Sequence, residues 1–410
     1  HGPAADHQRH VAGARHQAHP RVIAMTPGPM LGNSERDVVV AQLQRILAGD
    51  VGTAAGVAVA LRGLPDNDSR RRVKDAIYGV AVMRLRLAFI ARVRGLPATI
   101  DALVDLALAG QAGSSVDVNV DVSWPADPVE ALSVRRSCPP WLSGQLVDSL
   151  GLDDADAFLS TSNQPGPITL RTNTLRTSRA DVLTALADDG IPARENLSTP
   201  WAVDVVGHAN LMGSRAFRAG LFEVQDASSQ QVALACDVSP GDVVVDLCAG
   251  RGGKTLALAA ALHNQGRIVV NDVDGAALKS LHGRLARAGV TCVVDASREP
   301  LRPQMADVVL VDAPCSSVGV LRRWPDLRYR FDDSQLTALV DAQRALIAQA
   351  ATLVRPGGRV VYATCSVLDA ENHTTHPGDQ PGLHARSSRL LLPHRDGGDG
   401  FFIATFDAAR

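Results

Sequence analysis

Apolar positions keep a helical period through the first third of the chain, then give way to short β-branched runs alternating with helical segments. Between Ser34 and Gly49, Val39, Leu43, Ile46 and Leu47 recur at spacings of three and four, which predicts an amphipathic helix opened by Ser34 and Asp37 as a capping pair. A second helical stretch runs from Ser69 towards Gly95, with Val73, Ile77, Val80 and Ala81 on one side. The Arg70, Arg71, Arg72 and Lys74 run at its start reads as a solvated face rather than an RNA contact. The polar stretch GSSVDVNVDVSWPAD (113–127) predicts a linker. Beyond it, CPPWLSGQLVDSLG predicts a proline-started helix, and ITLRTNT, SRADVLTALADDGI and WAVDVV predict strand, helix and strand. From Gly241 the runs VVVDLC, LALAAAL, RIVVND, ALKSLHGRLARAG, CVVD, DVVLVD, a helix over 336–353 and RVVYATC predict a doubly wound α/β core. Four segments follow: a disordered or non-native extension over 1–33, a helical domain over 34–136, a linking helix with a small α+β module over 137–238, and the α/β domain over 239–410.

The α/β core is centred on VVVDLCAGRGGKT (243–255), a strand, a Gly-rich turn and a helix start. Free N–H groups at a helix start and glycines that admit a ligand close to the main chain suit a nucleotide-like molecule. A P-loop needs a glycine where Cys248 stands, which excludes that motif. The spacing Asp246, Cys248, Gly250, Gly252, followed by a second strand closed by Asp272, suits either a dinucleotide or S-adenosylmethionine, since an acid there can bind ribose hydroxyls.

Composition narrows the setting more than the chemistry. The chain has 410 residues and a formal net charge of −2, which excludes neither nucleic acid nor small molecules as partners. Six cysteines without C-x-x-C spacing argue against a zinc ribbon or a disulfide framework, so no metal is expected and the cytoplasm is the natural setting. Apolar runs are short or broken by charge, so no membrane association is expected, and a monomer is.

Candidate chemistry lies at the carboxyl ends of the strands, where Asp246, Asp272, Asp295, Asp312 and Cys365 fall, with Cys315 just after Asp312 in DAPCSS. Two thiols and an acid beside a nucleotide loop point to nucleophilic chemistry, whereas Cys138, Cys236 and Cys292 read as small hydrophobes. The segment RRWPDLRYR (322–330) carries Arg322 and Arg323 beside Trp324, a pattern that can hold phosphates and stack an unpaired base; a plain surface patch is the alternative. Arg171 and Asn173 on one predicted strand offer an RNA-facing sheet, with solubility as an equal reading.

The stretches DLCAGRGGKT, DAPCSSVGVLRRWPD, YATCSVLDAEN and DGFF, with LRTNTLRTSRADVLTAL and FEVQDASSQ upstream, resemble the NOP/Sun RNA cytosine-C5 methyltransferases, in particular bacterial Fmu/Sun-type enzymes with a NusB-like helical domain. The resemblance spans roughly 138–402. It implies a Rossmann-like class I S-adenosylmethionine-dependent methyltransferase core, preceded by an α+β RNA-binding module and an abbreviated all-α NusB-like domain. It also implies ribosomal RNA as substrate, Cys365 as the nucleophile that attacks cytosine C6, Cys315 as the thiol that assists release, and Asp312 and Lys254 as base contacts. The cofactor would lie along Cys248, Ala249, Gly250, Arg251, Gly252, Gly253 and Lys254, with Asp272 at the ribose, Asp295 at the adenine and Asp312 near the methionyl end. Gly250 and Arg251 stand where the family usually has alanine and proline, and the breaker-rich HTTHPGDQPG replaces a family helix after Asn372. The rival readings are a non-catalytic RNA-binding or assembly protein, a DNA cytosine-C5 methyltransferase, disfavoured by Ser316 after Cys315, and a nicotinamide-dependent oxidoreductase, which gives two strand-end thiols no role.

Overall fold

The computed structural model describes residues 31–110, 122–207, 209–372 and 381–410. The expected extension falls mostly outside them, as do most of the expected linker and the breaker-rich segment after Asn372.

Helices Asn33–Leu47, Thr53–Ala60, Asn67–Val93 and Ile100–Gly110 pack around Val39, Leu43, Val73, Ile77, Val80 and Val104. The carboxylate at the start of the first helix is Glu35, not Asp37: it accepts from the Gly32 backbone N–H at 2.9 Å and pairs with Arg72. Arg72 therefore leaves the expected solvated face, while Arg70 and Arg71 stay exposed. The third helix is kinked at Met83, where φ is −101° and ψ 18°. Neighbours use the backbone groups beside the kink: the Val82 carbonyl accepts from Arg328 at 3.4 Å, and the Leu85 N–H donates to Ser137 Oγ at 3.0 Å.

Leu132, on helix Pro128–Arg136, packs with helices Pro140–Leu150 and Leu152–Ser162 and with Val318, Leu321, Val367 and Leu368. The hydrophobic cores thus divide before Pro128, although the sequence pattern places a boundary at 136. Strands β1 (Ile168–Thr172), β2 (Ala193–Glu195), β3 (Ala202–Val205) and β4 (Phe222–Val224) form an antiparallel sheet in the order β2-β3-β1-β4, backed by helix Arg179–Asp188.

Strands β5 (Val243–Asp246), β6 (Arg267–Val270), β7 (Val293–Asp295), β8 (Ala306–Asp312), β9 (Val354–Thr364), β10 (Leu383–Leu391) and β11 (Phe401–Ala408) form the second sheet in the order β10-β11-β9-β8-β5-β6-β7. The pairs β7–β6, β6–β5, β5–β8 and β8–β9 are parallel; β11 runs antiparallel between β9 and β10. The β-branched run of β5 is buried between helices, as a parallel strand covered on both faces requires. Strand order reverses at β5, so the carboxyl ends of β5 and β8 open a crevice. The β10–β11 pair was absent from the sequence expectation. Phe402 and Phe406 of β11 are fully buried, each worth roughly 2 to 3 kcal/mol of apolar transfer.

Candidate active site

The turn after β5 places the predicted cofactor residues around two cavities. One, of about 190 Å³, is lined by Asp246, Cys248, Ala249, Gly250, Arg251, Gly253, Lys254 and Asp312. The other, of about 530 Å³, is lined by Asn271, Asp272, His282, Asp295 and their neighbours. Asp272 bridges them, its Oδ2 accepting from the Gly250 N–H at 2.7 Å. Gly252 has φ +76°, and a Cβ there would lie 2.1 Å from Leu281 Cδ1, so the turn is pressed against helix Gly275–Ala288. The Arg251 carbonyl accepts from Arg284 at 2.6 Å while its own side chain stays exposed. Asp295 accepts from the Ser297 N–H at 2.7 Å, which holds its carboxyl below the usual range.

Asp246 is buried, accepts from Thr255 Oγ1 at 2.7 Å through Oδ2, and leaves Oδ1 with no protein partner. Burial pushes its carboxyl up to about 7. A buried acceptor without a donor, at a strand's carboxyl end facing a cavity, fits a polar ligand that brings its own N–H groups. Burial pushes the Cys248 thiol up to about 12, which disfavours its thiolate.

Cys315 and Cys365 converge although 50 positions separate them: their sulfurs lie 3.3 Å apart, and Cys365 Sγ also lies 3.4 Å from Ser317 Oγ. The two thiols move in opposite directions. Hydrogen-bond contact with Cys315, then with Ser317, holds Cys365 below the ordinary thiol value against the cost of burial. The same contact, with burial and the Glu371 charge, raises Cys315 well above it. Asp312 lies on the other side, its Oδ2 accepting from Lys254 Nζ at 2.6 Å, and that ammonium sits 5.2 Å from the Phe401 ring centroid. Burial works against the Lys254 charge, yet Asp312 outweighs it and raises Lys254. Cys365 opens onto a third cavity, of about 580 Å³, between β1, β4 and the seven-stranded sheet, lined also by Met212, Gln225, Val320, Arg323 and Phe401.

A polar cluster behind the thiols carries no role in the sequence reading. Glu371 accepts from the Ser316 N–H at 2.8 Å, Ser316 Oγ at 2.5 Å and Gln343 Nε2 at 3.1 Å. Asn372 accepts from Thr364 Oγ1 at 2.7 Å and donates to the Ser366 carbonyl at 3.1 Å. The backbones of Gly319, Gly400 and Cys365 also touch: Gly319 N–H donates to the Cys365 carbonyl at 2.9 Å, and a Cβ on Gly319 would lie 2.0 Å from the Gly400 carbonyl. An adjacent acid and amide shortly after a strand-end thiol was the available signal for Glu371 and Asn372.

The residues expected to face RNA are placed differently. Arg171 is buried, its Nε donating to Gln225 Oε1 at 2.6 Å, and burial lowers it to about 10. Asn173 is buried and donates to the Gly220 and Ala288 carbonyls at 2.8 Å each, the second bond tying the end of β1 to helix Gly275–Ala288. Neither forms an open RNA-facing surface. Arg322 is 4% exposed and donates to Asp399 at 2.5 Å; Arg323, 29% exposed, pairs with Asp399 and, at 2.7 Å, Asp226. Arg328 donates to the Ser137 carbonyl at 3.0 Å and Asn163 Oδ1 at 2.9 Å, and Arg84 stacks 3.3 Å over the Tyr329 ring. RRWPDLRYR thus anchors the neighbouring modules rather than forming a free basic patch; Trp324 alone of its aromatics is well exposed. Among the described residues no helix is long and apolar enough to cross a membrane.

Known proteins share this architecture. A family model described as 16S rRNA methyltransferase RsmB/F matches residues 233–378, and one described as an RsmF/B-like ferredoxin-like domain matches residues 138–211. A Bacillus subtilis protein named "Probable ribosomal RNA small subunit methyltransferase B" is 32% identical over 305 residues, covering 68% of each chain. A Homo sapiens 28S rRNA (cytosine(4447)-C(5))-methyltransferase is 31% identical over 311 residues, covering 67% of this chain and 38% of that protein. The crystal structure of PH0851 superposes with a TM-score of 0.73 at 24% identity, covering 94% of this chain and all of that one, a likeness of fold. The seven-stranded sheet, the matched models and the identity over two thirds of a relative's length place the chain in the RsmB/F family of rRNA methyltransferases.

Proposed function

We propose that the protein methylates C5 of a cytosine in ribosomal RNA, with S-adenosylmethionine as methyl donor and a transient bond between Cys365 and cytosine C6. The observation that carries this reading is the 3.3 Å contact between two strand-end thiols, set between the cofactor cavities and an open cleft. The orphaned Asp246 Oδ1, the Gly250–Lys254 turn and the Asp272 carboxylate suit the cofactor's polar groups. The cofactor supplies an electrophilic methyl group.

Cytosine C5 is a weak nucleophile, so Cys365 as thiolate adds to C6 and pushes electron density onto C5, which takes the methyl group. Cys315, a thiol while Cys365 is charged, can lose its proton to solvent once the C6–S bond has consumed that charge; as thiolate it takes the C5 proton, the C–H electron pair forms the C5–C6 double bond, and the C6–S pair leaves on the Cys365 sulfur. Asp312 contacts the ring near N3, and Lys254 holds that carboxylate in place from 2.6 Å. A base inside a duplex cannot be reached, so the target must be unpaired or flipped into the cleft. Incubation with methyl-labelled cofactor and ribosomal RNA, followed by nucleoside analysis, should yield labelled 5-methylcytidine. Label on another base, or none with protein that binds the cofactor, would overturn the reading.

A further inference from the structure

The residues that follow the two cysteines are bonded to each other. Ser316 Oγ and Ser366 Oγ lie 3.1 Å apart, and Ser316 is held by both Glu371 oxygens. Glu371 is fully buried, anchored through Gln343, whose Nε2 also donates to the Pro314 carbonyl at 2.9 Å, just ahead of Cys315. The Tyr362 hydroxyl donates to the Glu371 main-chain carbonyl at 2.7 Å, so this one residue, holding Ser316 through its carboxylate and Tyr362 through its backbone, links the loop bearing Cys315 to the strand bearing Cys365.

We propose that Glu371 is a positioning residue, whose bridge from Ser316 to β9 holds Cys315 and Cys365 in sulfur contact, so that one thiol is kept as donor and the other freed as nucleophile. The inference rests on the reading of Cys365 as the attacking thiol. Glu371 itself touches no reacting atom. Without its bridge the Cys315 loop keeps the Gln343 contact to Pro314, the Ser316–Ser366 hydroxyl contact and the Gly319 bond to the Cys365 carbonyl, but loses the buried carboxylate that fixes Ser316, and a sulfur displaced by an ångström no longer meets Cys365 in hydrogen-bond geometry. Among the described residues, the other charged groups facing the thiols are Lys254 and Asp312 from the cofactor side and Asp226, Arg323 and Asp399 from the cleft. None of these bonds to Ser316.

The test is the rate of iodoacetamide alkylation at each cysteine against pH, read by peptide mass spectrometry on the full chain. Glu371→Ala removes the bridge. Glu371→Gln keeps it, because an amide nitrogen in place of Oε2 can donate to Ser316 Oγ while the remaining oxygen still accepts from the Ser316 N–H. In the parent protein near pH 7, Cys365 should react about tenfold or more faster than Cys315, one unit of acidity being about tenfold in thiolate. Glu371→Ala should bring that ratio within about threefold of unity and move the Cys365 profile up towards the ordinary thiol value, about 8.5. Glu371→Gln keeps the bridge but removes the charge that raises Cys315, so it should lower the ratio yet leave Cys365 faster by more than about threefold, and S-adenosylmethionine should still raise Tm in both variants. A parent-like ratio in Glu371→Ala overturns the inference, as does a collapsed ratio in Glu371→Gln. Should Glu371→Ala not fold, Ser316→Ala must lower the ratio, and an unchanged ratio there overturns it equally. Alkylation needs no RNA, so absence of methyl transfer in the parent protein would count against the proposed function and leave this result to be read separately.

Discussion

Replacing Lys254 with Met tests whether the Lys254–Asp312 pair organises the crevice or merely fills it. The ammonium and carboxylate meet at 2.6 Å, with the lysine side chain 10% exposed and the aspartate 31%. At an effective dielectric near 20, two charges about 4 Å apart attract by roughly 4 kcal/mol, before the cost of taking them from water is subtracted. Breaking a buried pair costs about 3 to 5 kcal/mol because the remaining charge is stranded. Asp312 still reaches solvent, so the lower end applies and Lys254→Met should lose about 3 kcal/mol. Asp312→Asn alone strands the lysine, and the double variant strands neither, so it should be more stable than the sum of the single changes by about 2 kcal/mol. Urea denaturation at pH 7.5 of the four proteins closes the cycle. A coupling below about 0.5 kcal/mol would mean that the pair is solvated like a surface ion pair.

Three further outcomes follow from the geometry. Gly252→Ala combines a left-handed backbone with a Cβ 2.1 Å from Leu281, and should cost about 2 to 4 kcal/mol by denaturation, partly recovered by adding Leu281→Ala; no loss would show that the helix yields freely. Asp246 is held at about 7 by burial, above the unfolded value near 3.9, so the folded state binds the extra proton. Stability should therefore fall as pH rises from about 4 to about 7 and then level off, and Asp246→Asn should flatten that decline; an equal slope in the variant would refute it. Arg322→Ala leaves Asp399 paired with Arg323 but takes away the bond to its other oxygen, so it should destabilise the fold by about 1.5 to 3 kcal/mol and leave the salt dependence of RNA binding unchanged, whereas a lost slope unit would restore it as a phosphate contact.

The change of hydrophobic period after Gly241 made the α/β core legible, because a parallel strand buried on both faces needs an unbroken β-branched run such as Val243–Val245. Strand ends then placed Asp246, Asp312 and Cys365 in one crevice without knowledge of any contact. Arginines were not legible in the same way. Arg171 and Arg322 look like surface cations until Gln225 and Asp399, 54 and 77 positions away, are folded against them. Spacing carries no trace of such partners, because an arginine stem can either snorkel or be buried. The β10–β11 pair escaped because its strands are antiparallel, so no helical crossover announces them, and β10 shows mostly exposed residues. Glu371 stood in view beside a recognised motif, but only the fold shows that it reaches Ser316, 55 positions upstream.

The most direct test of the thiol assignment is the fate of radiolabelled ribosomal RNA on denaturing gels after incubation with S-adenosylmethionine and each single-cysteine variant. Cys365→Ala should transfer no methyl group and leave no RNA on the protein, because the thiol that forms the C6 bond is gone. Cys315→Ala should form that bond and fail to release it, so that protein and RNA migrate together. A covalent complex that appears with Cys365→Ala and is absent with Cys315→Ala would contradict the assignment and make Cys315 the nucleophile.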